Sequence, residues 1–323
     1  MEKEVVLGID IGGSYTKVGL VTQKGDIIDK TAFKTDAQKP FSDFIKRLKA
    51  EVDTLVTALE PGVSILFIGV GAPNANPYTG EIENPPNLNW GAATPLAKTI
   101  NQSFKLPVTI ANDANAAALG EMFFGAGKGM KNFVALTLGT GLGSGIIVDG
   151  KLLIGAHGAA GELGHVNVDP HGRSCNCGLR GCLETYASVT GIKRTVFELM
   201  ADMTEPSPLR NYSFETMTGT AISEAALNGD PIALAAFDKT GEILGSKMAD
   251  TAAHLDPEAF ILSGGLSKAG DILLNPIKTR MEHHLFGAYK GKVKVLLSTA
   301  TGDNAVLGPA ALAWTELENT RVA

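Results

Sequence analysis

Positive charge is not in excess in this chain. Its 28 Lys and Arg stand against 34 Asp and Glu, a net charge of −6, so the electrostatic footprint of a nucleic-acid binder or of an anionic-membrane binder is missing. Long apolar runs are missing too. The longest, residues 133–148, is broken by Gly139, Gly141, Gly143 and Gly145 and by Thr137, Thr140 and Ser144, and reads as strands. No secretory leader is visible, because Met1-Glu2-Lys3-Glu4 runs directly into a strand. Cysteine is scarce and odd in number, three in 323 residues, which argues against a disulfide framework. Reduced thiols and no leader predict a cytoplasmic protein. Aromatic residues make up only 6%. Neither main glycine turn matches G-x-x-x-x-G-K-[ST] or G-x-G-x-x-G, so the P-loop and dinucleotide fingerprints are absent.

Glycine, by contrast, is abundant at 38 residues, as an α/β protein needs where backbone approaches ligand. At 44% apolar and 19% charged the chain is a soluble globular type, and its length predicts two domains. No low-complexity linker separates them.

All three cysteines, Cys175, Cys177 and Cys182, lie in the stretch 161–184, with His165 a short loop upstream. Three thiolates and one imidazole make a tetrahedral set suited to structural Zn²⁺. Gly172, Gly178 and Gly181 let the chain wrap a small ion. Reduced core thiols are the blander reading, but packing does not explain every cysteine of the chain falling within residues 175–182. Glu162 and Glu184 flank the ligands and read either as solvated charges or as acceptors for the hydroxyls of a small polyol.

A strand over 5–11 leads through Asp10, Gly12 and Gly13 into a second strand over 15–22 and a third over 27–31. The plan recurs: a strand over 133–138, a turn at Gly139-Thr140-Gly141-Leu142-Gly143, a strand over 144–148, and an Asp149-Gly150 hairpin turn into 151–154. Two copies suggest two similar halves. Glycine turns at strand ends expose backbone N–H groups to phosphate. Gly12, Gly13, Gly139, Gly141 and Gly143 fit that use, with Thr16 and Thr140 as hydroxyl donors; tight hairpins are the alternative.

Helical spacing covers 41–59, and strands are expected over 65–70 and 106–110. Asp113 follows the latter at a strand-to-helix junction before a helix over 116–124. It reads equally as an N-cap and as a catalytic carboxylate at a sheet's carboxyl edge. Asn87 and Asn89 could read hydroxyls or simply form turns. Helices are further expected over 186–200, 230–253, 272–285 and 304–317, the last interrupted by Pro309 and capped from 301–304. Residues 203–218 read as loop, and strands over 259–262 and 293–297. Ser263-Gly264-Gly265 is a third glycine-rich strand end, a floor for a purine ring.

The combination resembles the ROK family (repressors, uncharacterised reading frames and kinases), nearly end to end. The resemblance rests on D-I-G-G-S-x-T-K from Asp10, A-N-D-A-N around Asp113, L-G-T-G-L-G-S-G from Leu138, G-E-L-G-H from Gly161, C-x-C-G-x-x-G-C-L-E from Cys175, S-G-G from Ser263 and G-D-N-A from Gly302. It implies a two-domain actin-like fold, a duplicated ribonuclease-H-like α/β ATPase with an interdomain cleft. Residues 1–114 with 304–323 would form the small domain and 115–303 the large one, with a zinc loop at 165–182. It further implies an ATP-dependent kinase for the 6-hydroxyl of glucose, giving glucose 6-phosphate and ADP. ATP would meet Gly12, Gly13, Thr16, Lys17, Gly139, Thr140 and Gly141, with Gly264 and Gly265 at the adenine. Asp10 would hold Mg²⁺ through water and Asp113 would be the base. Asn87, Asn112, Glu162, His165 and Glu184 would grip the sugar beside Asp113, with His165 serving zinc through one ring nitrogen and sugar through the other. A homodimer is the implied assembly.

An ordinary carboxylate pKa near 4 suits late proton transfer in a loose phosphoryl-transfer transition state. Gly71-Ala72-Pro73-Asn74 departs from the G-x-P-G of many relatives and bears on sugar choice. A kinase for N-acetylmannosamine or N-acetylglucosamine is the alternative within the family. A sugar-sensing regulator would need an N-terminal helix-turn-helix, for which a first strand beginning by Glu4 leaves no room.

Overall fold

A computed structural model describes residues 3–85, 87–299 and 304–322. Its chain divides into two compact units: Met1–Gly129 with Leu152–Ala160 and Thr299–Ala323, and Met130–Lys151 with Gly161–Ser298.

The first unit is built on strands β1 (Lys3–Ile11), β2 (Tyr15–Val21), β3 (Ile27–Lys34), β4 (Val63–Ala72) and, after a small three-stranded sheet of β5 (Ala75–Asn76), β6 (Glu81–Glu83) and β7 (Ala93–Thr94), β8 (Val108–Asn112). Its main sheet runs β3-β2-β1-β4-β8. β1 is antiparallel to β2 and parallel to β4, which is parallel to β8. Side chains alternate between faces. Val5, Leu7, Ile9 and Ile11 join Ile68 and Val70 in one core with helix α1 (Phe41–Thr57), whose Phe44, Leu48, Val52 and Leu55 sit at helical spacing.

The opposite face carries Val6 and Phe67, then glycine. Gly19, Gly8 and Gly69 are neighbours across β2, β1 and β4. The C-terminal helix (Leu307–Val322) lies directly on that row. A Cβ at Gly8 would overlap Val306 O, and one at Gly69 would overlap Pro309 O. Backbone therefore seats on backbone, and Trp314, Ala310 and Ala313 complete the layer. The helix begins at Leu307, so Pro309 falls in its first turn and costs no helical hydrogen bond. Of the cap expected from 301–304, residues 301–303 lie outside the described residues. Helices α2 (Leu96–Phe104) and α3 (Asp113–Phe124) finish the unit.

The second unit repeats the order as β11-β10-β9-β12-β13: β9 (Phe133–Leu138), β10 (Leu142–Val148), β11 (Lys151–Leu152), β12 (Ala259–Ser263) and β13 (Lys294–Leu297). β9 is again antiparallel to its hairpin partner and parallel to β12. Asp149 and Gly150, at φ 50° and 71°, make the expected hairpin turn. Its helices are α4 (Val189–Asp202), α5 (Gly219–Leu227), α6 (Pro231–Leu255) and α7 (Asp271–His284). Helix α4 starts later than expected because Ser188 caps it, its Oγ accepting the Gly191 N–H at 2.9 Å. α6 tolerates Gly241 and Gly245 because α7 presses there: a Cβ at Gly245 would lie 2.7 Å from Ile277 O. Among the described residues no helix is long and apolar enough to cross a membrane.

Candidate functional site

The first unit gathers its chemistry at the carboxyl ends of β1, β4 and β8. Register sets Asp10 beside Gly71 and Gly71 beside Ala111, so Asn112 and Asp113 emerge at the same edge. Asn112 caps α3, its Oδ1 accepting the Ala114 N–H at 2.9 Å. The capping role open to Asp113 thus falls first to Asn112, whose amide N–H groups are what it can offer a hydroxyl. Asp113 is the first helical residue, and its Oδ1 accepts the same N–H at 2.8 Å. Gly71 makes this possible, since a Cβ there would sit 3.2 Å from Ala116 Cβ and 3.7 Å from Asp113 Cα.

Burial pushes Asp10 up to about 6; the neighbouring Asp113 charge adds to the push, and Lys17, its cross-strand partner, opposes it. Asp113 is raised too, by burial, against backbone hydrogen bonds from Ala114 and from its own N–H that hold it down. Its side chain still reaches solvent, which tempers the shift. Two adjacent carboxylates resisting ionisation, with oxygen donors only, fit a hard divalent cation such as Mg²⁺.

Beside them runs the first glycine turn, closed by the Gly12 N–H donating to Tyr15 O at 3.0 Å. Thr16 does not face outward: it is fully buried, its hydroxyl 2.9 Å from that of Thr35. Asn87 is exposed next to the turn, and a Cβ on Gly13 would come within 3.2 Å of its own Cβ. Asn74, where the chain departs from G-x-P-G, holds a left-handed φ of 53°, a conformation that favours glycine. Its amide also donates to Glu83 O at 3.0 Å and Asn84 O at 3.1 Å. The departure keeps the backbone and braces the loop before Asn87.

In the second unit, His165, Cys175, Cys177 and Cys182 bring their ligand atoms within 4.8 Å of one another. The Sγ atoms of Cys177 and Cys182 are 3.6 Å apart, and Cys175 Sγ is 3.9 Å from His165 Nδ1. Those spacings are near the edge of a tetrahedron with ~2.3 Å metal–sulfur bonds, so the donor set fits Zn²⁺. Gly178 and Gly181 take φ of 91° and 70°, and a Cβ on Gly181 would overlap Asp169 O. His165 turns Nε2 toward Glu162 Oε2, 4.0 Å away. Glu184 joins this loop to the second glycine turn: Cys175 Sγ donates to its Oε1 at 3.0 Å, and the Leu142 N–H to its Oε2 at 3.4 Å. A Cβ at Gly141 would be 2.5 Å from that second oxygen. Gly139 faces open space, Thr140 is exposed, and Gly264, at φ 92°, packs on the backbone of Leu138 at the end of β9.

Arg173, not marked by any motif, anchors the loop. Its guanidinium donates to Glu198 at 2.8 Å through Nε and 2.6 Å through Nη2, to Thr185 O and Gly191 O through Nη1, and to Thr195 Oγ1, while lying 4.3 Å over the Tyr186 ring. All five N–H donors are used. Thr35 also escaped the sequence reading, and Gly71 entered it only as part of the 71–74 segment, because their partners lie on other strands.

The ROK family model matches residues 6–316. The chain belongs to the ROK family. A glucokinase of Halalkalibacterium halodurans is 38% identical over 306 residues, covering 94% of this chain and 92% of its own length. One from Thermotoga maritima is 35% identical over 97% of this chain and 98% of its own. A Streptomyces griseus ROK family glucokinase solved with glucose and AMPPNP superposes with a TM-score of 0.82 at 34% identity, covering 96% of this chain and 99% of that one. The repeated sheets are those of the actin-like α/β fold of these kinases.

Proposed function

We propose that this protein is an ATP-dependent hexose kinase that phosphorylates the 6-hydroxyl of glucose, giving glucose 6-phosphate and ADP. The observation that carries the reading is one sheet edge holding Asp10, Gly71, Asp113 and the Gly12–Gly13 turn, in a chain whose relatives include glucokinases. Asp113 orients the 6-hydroxyl and takes its proton; the upward push of burial makes it a better base than an ordinary carboxylate. Asn87, Asn112, Glu162, His165 and Glu184 bind the other hydroxyls. Backbone amides of Gly12, Gly13, Gly139 and Gly141, with Lys17 and the exposed Thr140, receive the phosphates, and Gly264 and Gly265 the adenine. Thr16 serves from below the turn. Asp10 would hold Mg²⁺ through water, which supplies charge neutralisation on the phosphates.

His165, Cys175, Cys177 and Cys182 would hold a structural Zn²⁺, which fixes the loop carrying Glu162 and Glu184. As a thiolate, Cys175 has no proton to donate to Glu184, and that leaves Oε1 to accept from a sugar hydroxyl. The protein is further proposed to be a cytoplasmic homodimer, which light scattering would test.

A coupled assay with ATP over glucose, mannose, fructose, N-acetylglucosamine and N-acetylmannosamine tests the reading. Highest kcat/KM on glucose is expected. Equal or better turnover of an acetamido sugar replaces glucose as substrate, and no turnover of any sugar rejects the kinase.

A further inference from the structure

Thr35 lies immediately after β3 and is 2% exposed. It holds the first glycine turn at three atoms. Its N–H donates to Ser14 O at 3.0 Å, its hydroxyl donates to Gly12 O at 2.6 Å, and Thr16 Oγ1 stands 2.9 Å from Thr35 Oγ1. A hydroxyl has one proton. Thr35 has committed its own to Gly12 O, so Thr16 must donate to Thr35. Neither hydroxyl then has a proton to offer a phosphate.

What the pair does instead follows from the planar trans peptide, whose C=O and following N–H point in opposite directions. With Gly12 C=O drawn toward Thr35, the Gly13 N–H is turned away from it, and it finds no acceptor among the described residues. We propose that Thr35 is a positioning residue for nucleotide binding: a buried clamp, fed by Thr16, that aims the Gly13 amide at a phosphate oxygen. The proposal rests on the reading of this turn as the phosphate turn.

The clamp is itself braced. Asp36, at φ 50°, pairs with Arg47 at 2.8 Å and with Lys39 at 2.9 Å, and Arg47 also donates to Lys34 O at 2.8 Å. Ala37 O accepts the Asn89 N–H at 2.9 Å. The same short strap therefore ties the turn to the loop that carries Asn87, where Gly13 already abuts Asn87.

Calorimetry of ATP and, separately, of glucose on wild type, Thr35→Val and Thr35→Ser tests this. Valine keeps the shape and removes the proton; serine restores it. Thr35→Val should bind ATP about tenfold more weakly, the effect of one lost buried hydrogen bond, while glucose affinity without nucleotide moves less than about twofold. Thr35→Ser should recover most of the ATP affinity. Unchanged ATP binding by Thr35→Val overturns the proposal, as do parallel losses for ATP and glucose or a serine variant as impaired as valine. Should Thr35→Val not fold, Thr16→Val, which strips the donor feeding Thr35, is expected to lose ATP affinity in the same direction by a smaller factor; no loss there overturns the proposal too. A wild type that binds ATP and phosphorylates no sugar rejects the function and leaves this inference standing, whereas one that binds no nucleotide rejects both.

Discussion

In the first unit, the groups proposed to act on substrate arrive from strands far apart in sequence. Asp10 lies near the end of β1, Gly71 near the end of β4 and Asp113 follows β8, and only register sets them side by side. In the second unit the groups proposed for the sugar come from one continuous stretch, residues 161–184, folded on itself through local glycines, four clustered ligand atoms and Arg173. The same strand order thus carries two ways of fixing a site. One depends on the whole sheet and the helix seated on it, the other on a loop with its own anchors. The glycine turns differ likewise: Thr140 is exposed, whereas Thr16 is buried and spent on Thr35.

If that contrast is right, metal removal strikes the second unit alone. Structural zinc can contribute about 10 kcal/mol of local folding energy. Chelation or Cys177→Ala should therefore free residues 165–182 in hydrogen exchange, while α4, whose Ile192 and Val196 are buried in the core, stays protected. Exchange spreading evenly over both units would break the comparison, and metal analysis of the pure protein should find bound zinc.

A smaller effect separates the glycines. Gly69→Ala forces a Cβ against the Pro309 carbonyl and should cost about 3 kcal/mol of stability in thermal melts. Gly139→Ala meets nothing within 4 Å and should leave melting nearly unchanged while weakening ATP binding.

The smallest contrast is in pH. Asp10 is raised to about 6 in the folded state, so the native protein binds its proton more tightly than the unfolded chain does. Metal-free stability should therefore fall as pH rises from about 4 to 6, by at most about 3 kcal/mol and less after solvent screening, and Asp10→Asn should abolish that fall. Glu198 is held below the usual carboxylate range by Arg173. Its contribution should be complete above the ordinary glutamate value and be lost as pH drops below it.

The same contrast explains what could be read in the sequence. The four candidate metal ligands, the glycine turns, the strand echo and Asp113 at its junction are local patterns, and each names its residues. Helices α2 and α5 and the three-stranded sheet β5–β7 were not foreseen, because nine-residue helices and two- or three-residue strands carry too little periodicity. Thr35, Gly71 and the Gly8–Gly19–Gly69 row acquire meaning only from neighbours across the sheet. Pro309 was expected to interrupt a helix that instead begins two residues before it. The upward shift of Asp113 is likewise a property of packing.

Asp113 is proposed to take the proton of a sugar hydroxyl as phosphoryl transfer from ATP proceeds. The most direct measurement is glucose-dependent ADP formation, with glucose binding by calorimetry, for wild type and Asp113→Asn. Wild type should be active, and the variant slowed by at least about 10³ in kcat while still binding glucose. A variant that turns over glucose at the wild-type rate would rule out that role for Asp113.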